Sequence, residues 1–430
     1  MTVRRSAAAL AATAVLCVAA APAALAAPAA PSTPPVIPSG LYGKADPTYD
    51  GVWRQSFALL AQDTVGLKPA PQALDWLTGQ QCANGAFPSF RADAGKACDA
   101  KTMLDTNATA AAVQALAALG GQDAAVKKSV AWLKSVQNPD GGWTYSPGPG
   151  AASDANSTSI VIGALIAAGE KPAAVKSKAG KSAFDGLLEF QVGCAVPAAD
   201  QGAFAYQKDK NGKLLANADA TAAATLAGFG KSAVVPPANT GNSADNAQMP
   251  LMAPECPAGS TGAADMPTAA MGSEFYLVQT LRKNGNHLVA VTPGADKPTP
   301  DFGNTADAVI AIAAGGHGSA AKESYDWLQK NAAAWAKDNP AGLGTLVLAA
   351  HAVGADPKSF GGTDLVAQLN ATGPAPQAAT ASASPSGKDE KKDEDGEDSG
   401  SSVWWIIGAG AFFGIGIGFL LSGRKKSQQL

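Results

Sequence analysis

The chain is poor in the residues that most often carry chemistry. It has three histidines, His287, His317 and His351, in 430 residues. None stands near a cysteine in sequence. His317 reads as part of a glycine turn, and His351 falls in an apolar run where a packed core residue is the expected role. The chain has five cysteines and no C-x-x-C spacing, so neither a zinc ribbon nor a thioredoxin-type redox motif is supported. Lys and Arg total 32 against 35 Asp and Glu. Outside the C-terminal tail the basic residues are not clustered, which gives no case for nucleic-acid binding.

The two ends are the most explicit part of the sequence. Residues 1–27 carry Arg4 and Arg5, an apolar run from Ala7 to Leu25, and small residues at Ala24 and Ala26. That is the pattern of a secretory signal peptide, and it stands outside any reasoning about fold. Residues 28–40 form a Pro- and Ala-rich leader. At the other end, Val403–Leu421 carries no charge. As a helix it would span roughly 28 Å, close to the hydrocarbon thickness of a bilayer. Trp404 and Trp405 mark one interface, and Arg424, Lys425 and Lys426 mark the other. Positive charge stays inside, so residues 422–430 are expected in the cytoplasm and everything before residue 403 outside. Gly410, Gly414 and Gly418 have the small-xxx-small spacing that permits helix–helix packing, with a second copy or with a transporter component. Residues 374–402 are Ala-, Ser- and Pro-rich and then densely charged. They have little to bury and read as a disordered stalk.

Removal of the signal peptide leaves Cys82, Cys98, Cys194 and Cys256. An even number in an exported chain reads as two disulfides. Three connectivities exist, of which nearest-neighbour pairing is favoured.

Residues 41–373 are repetitive. One unit is a helical stretch ending in Gln, then a glycine turn and an aromatic: Asp75–Gln81 into Phe87, Ala131–Gln137 into Trp143, Leu187–Gln191 into Phe204. A second unit follows. Asp105-Thr106-Asn107-Ala108-Thr109 opens an apolar run, as do Asp154–Thr158, Asn217–Thr221 and Asp301–Thr305. Gly344-Thr345 opens a degenerate copy, and Trp53–Ala61 has the look of an orphan first helix. Asp, Asn, Ser and Thr before an apolar run are helix N-caps, because their oxygens accept from unpaired first-turn N–H groups. The runs they open are apolar on most faces and must be buried all round. The alternate helices, such as Val126–Gln137 with Lys127, Lys128 and Lys134, are amphipathic and belong outside. An all-α fold follows, an (α/α)5-6 toroid made of an inner and an outer ring of helices. An open solenoid of helix pairs is the competing arrangement. The long stretch Gly230–Ala270 is expected to cover one mouth of the ring.

The run Gln137-Asn138-Pro139-Asp140-Gly141-Gly142-Trp143 resembles the repeat of the terpenoid cyclase and prenyltransferase α/α-toroid superfamily. Asp154-Ala155-Asn156-Ser157-Thr158 opening an apolar helix is similar to the helical domain of cobalamin carriers such as transcobalamin and intrinsic factor. The resemblance covers roughly Ala45 to Val353. It implies a toroid but does not fix chemistry. The family's Asp-x-Asp-Asp acid, its Asp-rich magnesium cluster and its Asp, Cys and His zinc site are all missing from this sequence. No metal and no catalytic residue is therefore assigned, and a single carboxylate acid remains open.

In a toroid the inner helices run the same way, so their N-termini share one face. That face would carry the candidate ligand-binding residues Asp105, Asn107, Asp154, Asn156, Asn217, Asp219, Asp301 and Asn304, with Tyr145 and Tyr206 beside them. The bland alternative is that these side chains only cap helices and that the turn aromatics only fill gaps. The expected function is a membrane-anchored, extracellular, non-catalytic module that binds a small molecule, with a corrinoid implied by the resemblance, or a partner such as a membrane transporter component. The alternatives are a protein or cell-wall interaction platform and a terpenoid cyclase-like isomerase or lyase.

Overall fold

The computed structural model describes residues 36–238, 250–256, 262–263, 265–290 and 297–377. All belong to one compact unit, Met1–Ala379. The expected signal peptide, the charged stretch from residue 378, the membrane segment 403–421 with its three spaced glycines, and the tail 422–430 lie outside the described residues. Among the described residues no helix is long and apolar enough to cross a membrane.

The described chain is mostly helical, with two very small antiparallel sheets. In chain order the helices are α1 (Gly51–Thr64), α2 (Pro71–Gly79), α3 (Thr106–Leu119), α4 (Asp123–Ser135), α5 (Ala155–Ala167), α6 (Ala183–Leu188), α7 (Ala218–Gly228), α8 (Met266–Lys283), α9 (Phe302–Ala314), α10 (Gly318–Asn331), α11 (Ala333–Ala336), α12 (Pro340–Ala352) and α13 (Leu365–Ala371). The sheets pair β1 (Phe87–Pro88) with β2 (Leu104–Asp105), and β3 (Leu288–Ala290) with β4 (Thr299–Asp301).

Neighbour contacts run in a cycle. Helix α1 packs on α3, α3 on α5, α5 on α7, α7 on α9, α9 on α12, and α12 returns to α1. These are the apolar helices. Val161, Ile162, Ala164 and Leu165 of α5 are fully enclosed, as are Leu346, Val347 and Ala349 of α12. Each also packs against a second helix that follows it in the chain: α2 on α1, α4 on α3, α6 on α5, α8 on α7, α10 on α9 and α13 on α12, with weaker contacts such as α8 on α9 and α11 on α12. Those second helices are amphipathic. Helix α4 buries Val126, Val130, Trp132 and Leu133, and leaves Lys127, Lys128 and Lys134 exposed.

The repeated sequence has a repeated geometry. Its first Asp or Asn caps a helix: Asp105 Oδ1 accepts from Ala108 N–H at 2.8 Å, Asp154 from Ser157 at 2.7 Å, Asn217 from Ala220 at 2.8 Å and Asp301 from Asn304 at 3.0 Å. Its Thr receives the turn. The backbone N–H groups of Phe87, Trp143, Phe204 and Leu288 donate to Thr109, Thr158, Thr221 and Thr305 Oγ1 at 2.8, 3.0, 2.9 and 2.9 Å. This orients the aromatics inward; Phe87, Trp143 and Phe204 are fully buried. The glycines before them have φ near +90° (Gly85 95°, Gly141 94°). A Cβ at Gly141 would run into the Ser182 carbonyl, so the turn needs glycine for space as well as for conformation.

Three elements differ from expectation. Helix α1 starts at Gly51, two residues before Trp53, and is a full member of the cycle rather than an orphan. Helix α12 starts a turn earlier than Gly344-Thr345: Asn339 accepts from Gly342 N–H at 3.0 Å and Pro340 takes the first turn, where a missing N–H costs nothing. Helix α8 was hidden at the end of the Gly230–Ala270 stretch. Asp265 caps it, accepting from Thr268 N–H at 2.9 Å, with a Pro in its first turn.

The disulfides are Cys82–Cys98 and Cys194–Cys256, the nearest-neighbour pairing. The bonded cysteines are 16 and 62 residues apart in sequence, and loops of these lengths correspond to about 3 and 4 kcal/mol of chain-entropy stabilisation. Such bonds are consistent with an extracellular protein.

Candidate functional site

A cavity of about 230 Å³ lies among the apolar helices. Its wall includes Asn107 of α3, Asn156 of α5, Asp219 of α7 and Asn304 of α9, each the second or third residue of its helix. The first-turn ends of four helices therefore meet at one mouth. One turn deeper stand Ser159 and Asp307; Gln114 and Gly163 follow. Trp53 and Phe57 of α1 supply an aromatic side, with ring centroids 4.8 Å apart.

Lys231, Ser232 and Ala233, just after the C-terminal end of α7, line it as well. Ala233 N–H donates to Gln114 Oε1 at 2.9 Å, and Ala238 N–H donates to the Ala352 carbonyl at 2.8 Å. The first residues of the long stretch after α7 thus lie against the C-terminal parts of α3 and α12.

The structure sorts the sequence candidates into two sets. Asp105, Asp154, Asn217 and Asp301 spend an oxygen on helix caps, and none of them lines the cavity. Asp105 also accepts from Ser89 Oγ at 2.7 Å. Asn107, Asn156, Asp219 and Asn304, two or three positions along, do line it. Asn156 Nδ2 donates to Asp219 Oδ2 at 2.8 Å, joining α5 to α7 across the mouth. Asn304 Nδ2 donates to Asp301 Oδ2 at 2.8 Å. Tyr145 and Tyr206 are outside the cavity, 42% and 44% exposed. Their carbonyls accept from Thr106 N–H at 2.9 Å and Ala155 N–H at 3.0 Å, which seats each ring beside the N-terminus of an adjacent apolar helix.

Polar capacity in the wall is left over. Asn107 Oδ1, Asn156 Oδ1 and Ser159 Oγ are buried without a hydrogen-bond partner. A buried unsatisfied polar atom costs about 1–3 kcal/mol, so a cluster of them around one cavity calls for an explanation.

The carboxylates are perturbed as well. Enclosure by protein pushes the Asp307 carboxyl up to about 7, with Asp219 and Asp301 adding repulsion. Asp219 is raised, chiefly by burial, with the Asn156 amide opposing. Asp154 is also raised by burial, against the Ser157 N–H it accepts from. Asp307 makes no hydrogen bond through its carboxyl to another described residue. It therefore changes charge near neutral pH inside a cavity, where it can give or take a proton. Among the described residues no cluster of His, Cys, Asp and Glu is placed to hold a metal ion.

Asp307, Gln114, Ser159 and Lys231 were not among the sequence candidates. The signal was present for the first two: each is a polar residue inside an otherwise apolar run, Ala306–Ala314 for Asp307 and Ala110–Leu119 for Gln114. A helix buried on all sides has no cheap place for a carboxylate.

No family model matches the chain, and no curated protein matches it. Among solved structures, a sugar epimerase from a ruminal bacterium resembles it weakly, with a TM-score of 0.39 and 14% identity, covering 68% of this chain and 80% of that one.

Proposed function

We propose that the helix pairs form an α/α toroid of the terpenoid cyclase-like superfamily, and that it is the ligand-capturing domain of a membrane-anchored extracellular protein. The carrying observation is the cavity at the converging helix N-termini, where Asn107, Asn156 and Ser159 keep buried polar atoms unpaired. A ring of helices needs caps on its outer rim but has no structural use for unpaired amides in its interior; a small polar ligand supplies the missing partners. The cycle of helix contacts supports the toroid, and the two disulfides support the exterior placement. The charge-free run 403–421 supports the anchor, with a transporter component in the same membrane as the natural recipient of a captured molecule.

The cavity is small for a corrinoid. A corrinoid would rest across the mouth, over Asp105, Tyr145 and Tyr206, in place of entering it. Titration with a corrinoid tests that version, and an unchanged visible spectrum with no heat of binding refutes it. A second reading is favoured by one observation, the Asp307 acid in a cavity wall that also carries Trp53 and Phe57: a cyclase-like isomerase or lyase in which Asp307 delivers the proton. Incubation of a bound compound with wild type and Asp307→Asn separates the two. Capture alone leaves the compound unchanged in both, whereas catalysis converts it only in the wild type. A partner-binding platform is supported less well, because it gives the unpaired cavity atoms no role.

A further inference from the structure

We infer that the ligand of this cavity is a small organic cation carrying a primary or secondary ammonium group, held between Asp219, Asp307 and the Trp53 ring. This rests on the reading of the cavity as a ligand site and names the class of ligand.

The charge inventory favours a cation. Helix N-termini carry roughly +0.5 charge each, and a mouth built from several of them would by itself attract anions. Here the apolar helices are capped by the carboxylates Asp105, Asp154 and Asp301, which more than offset their dipoles. Asp219 and Asp307 then add negative charge inside the wall, and neither is neutralised by a basic side chain. The ion pairs among the described residues include neither of them. Arg54 is committed to Asp50 at 3.2 Å. Lys231 is the single basic side chain in the wall; it follows the C-terminal end of α7, whereas Asp219 is in the first turn of that helix.

The hydrogen-bond inventory agrees. Asn156 already uses its Nδ2–H on Asp219, leaving Oδ1 to accept. Ser159, 4% exposed, has an unpartnered Oγ in the same wall. An ammonium brings N–H donors and no acceptor. Trp53 in the same wall completes the environment, since a cation over an aromatic ring gains attraction in a desolvated site. The cavity volume limits the ligand to the size of a small diamine, amino alcohol or amino sugar. Binding such a cation would favour the ionised form of Asp307, so complex formation near pH 7 should release a proton.

The test is isothermal titration calorimetry of the full-length chain with matched probes: putrescine against 1,4-butanediol, glucosamine against glucose, and succinate as the anion. The expected result is that at least one amine binds at least tenfold more tightly than its neutral counterpart. Its heat should change with buffer ionisation enthalpy in the sense of proton release, and Asp219→Asn should weaken it at least tenfold while circular dichroism stays unchanged. If Asp219→Asn fails to fold, Asp307→Asn serves, with the proton release lost. Tighter binding of the diol, the sugar or succinate overturns this inference and leaves the cavity reading standing. Absence of binding by every probe overturns both.

Discussion

Replacing Asp307 by Asn should stabilise the protein, and only where the carboxyl would otherwise be charged. The folded-state value is about 7 against an ordinary 3.8. Folding therefore takes up a proton between these values, and stability falls as pH rises from about 4 to about 7. Above 7 the full cost is present. About three pH units at 1.36 kcal/mol each set a ceiling of about 4 kcal/mol. Relaxation of the cavity and entry of water reduce this, so about 1–4 kcal/mol is the working range. Asn has nearly the same shape and never ionises, so the variant escapes the cost. An unfolding entropy of roughly 2.1 cal/mol/K per residue over about 340 residues makes 1 kcal/mol worth about 1.4 °C. Differential scanning fluorimetry at pH 4.5 and pH 8 should then show variant and wild-type Tm values close together at the lower pH, with the variant ahead by roughly 1.5–6 °C at the higher. The other perturbed carboxylates are present in both proteins and largely cancel. A gap that is the same at both pH values, or that favours the wild type at pH 8, would refute the account of Asp307 as a carboxyl held against its charge.

Further expectations concern the fold. Thr158→Val should keep the shape of the site but strip the acceptor from Trp143 N–H, losing about 1–3 kcal/mol in urea unfolding; the same change at exposed Thr48 should be near neutral. His317→Ala should leave Glu274 buried without the imidazole that meets its Oε1 at 2.7 Å, and cost about 3 kcal/mol. Leu165→Ala, at a fully enclosed position of α5, should cost about 2–5 kcal/mol through the cavity it opens. Reduction of the two disulfides should lower Tm without abolishing helicity, because the cycle of apolar helices does not pass through them.

Much of the architecture was legible because its causes are local. A capping Asp or Asn at 105, 154, 217 and 301 before an apolar run, and a Gly-aromatic turn before the first three, are short-range patterns with one physical meaning. Their repetition identifies helix pairs. Helix α8 is not legible in the sequence because it lacks the Gln-ended motif of the other repeats and follows a Pro-rich stretch. The site was legible in outline and blurred in detail. Sequence alone could not separate Asp154, which caps, from Asn156, which faces the cavity. The difference is a rotation of about two residues around a helix whose neighbours were unknown. The role of Asp307 is not legible in the sequence for a related reason: the residue stands one turn inside its helix, where the cost of a carboxylate arises only from packing by other helices.

The most direct test of the central claim is native mass spectrometry of the full-length chain purified from its own host in mild detergent. The account predicts a co-purifying small molecule of a few hundred daltons or less, retained by the wild type and lost from Asp219→Asn. A bare chain in both proteins, with a partner protein retained in place of a small molecule, would contradict it.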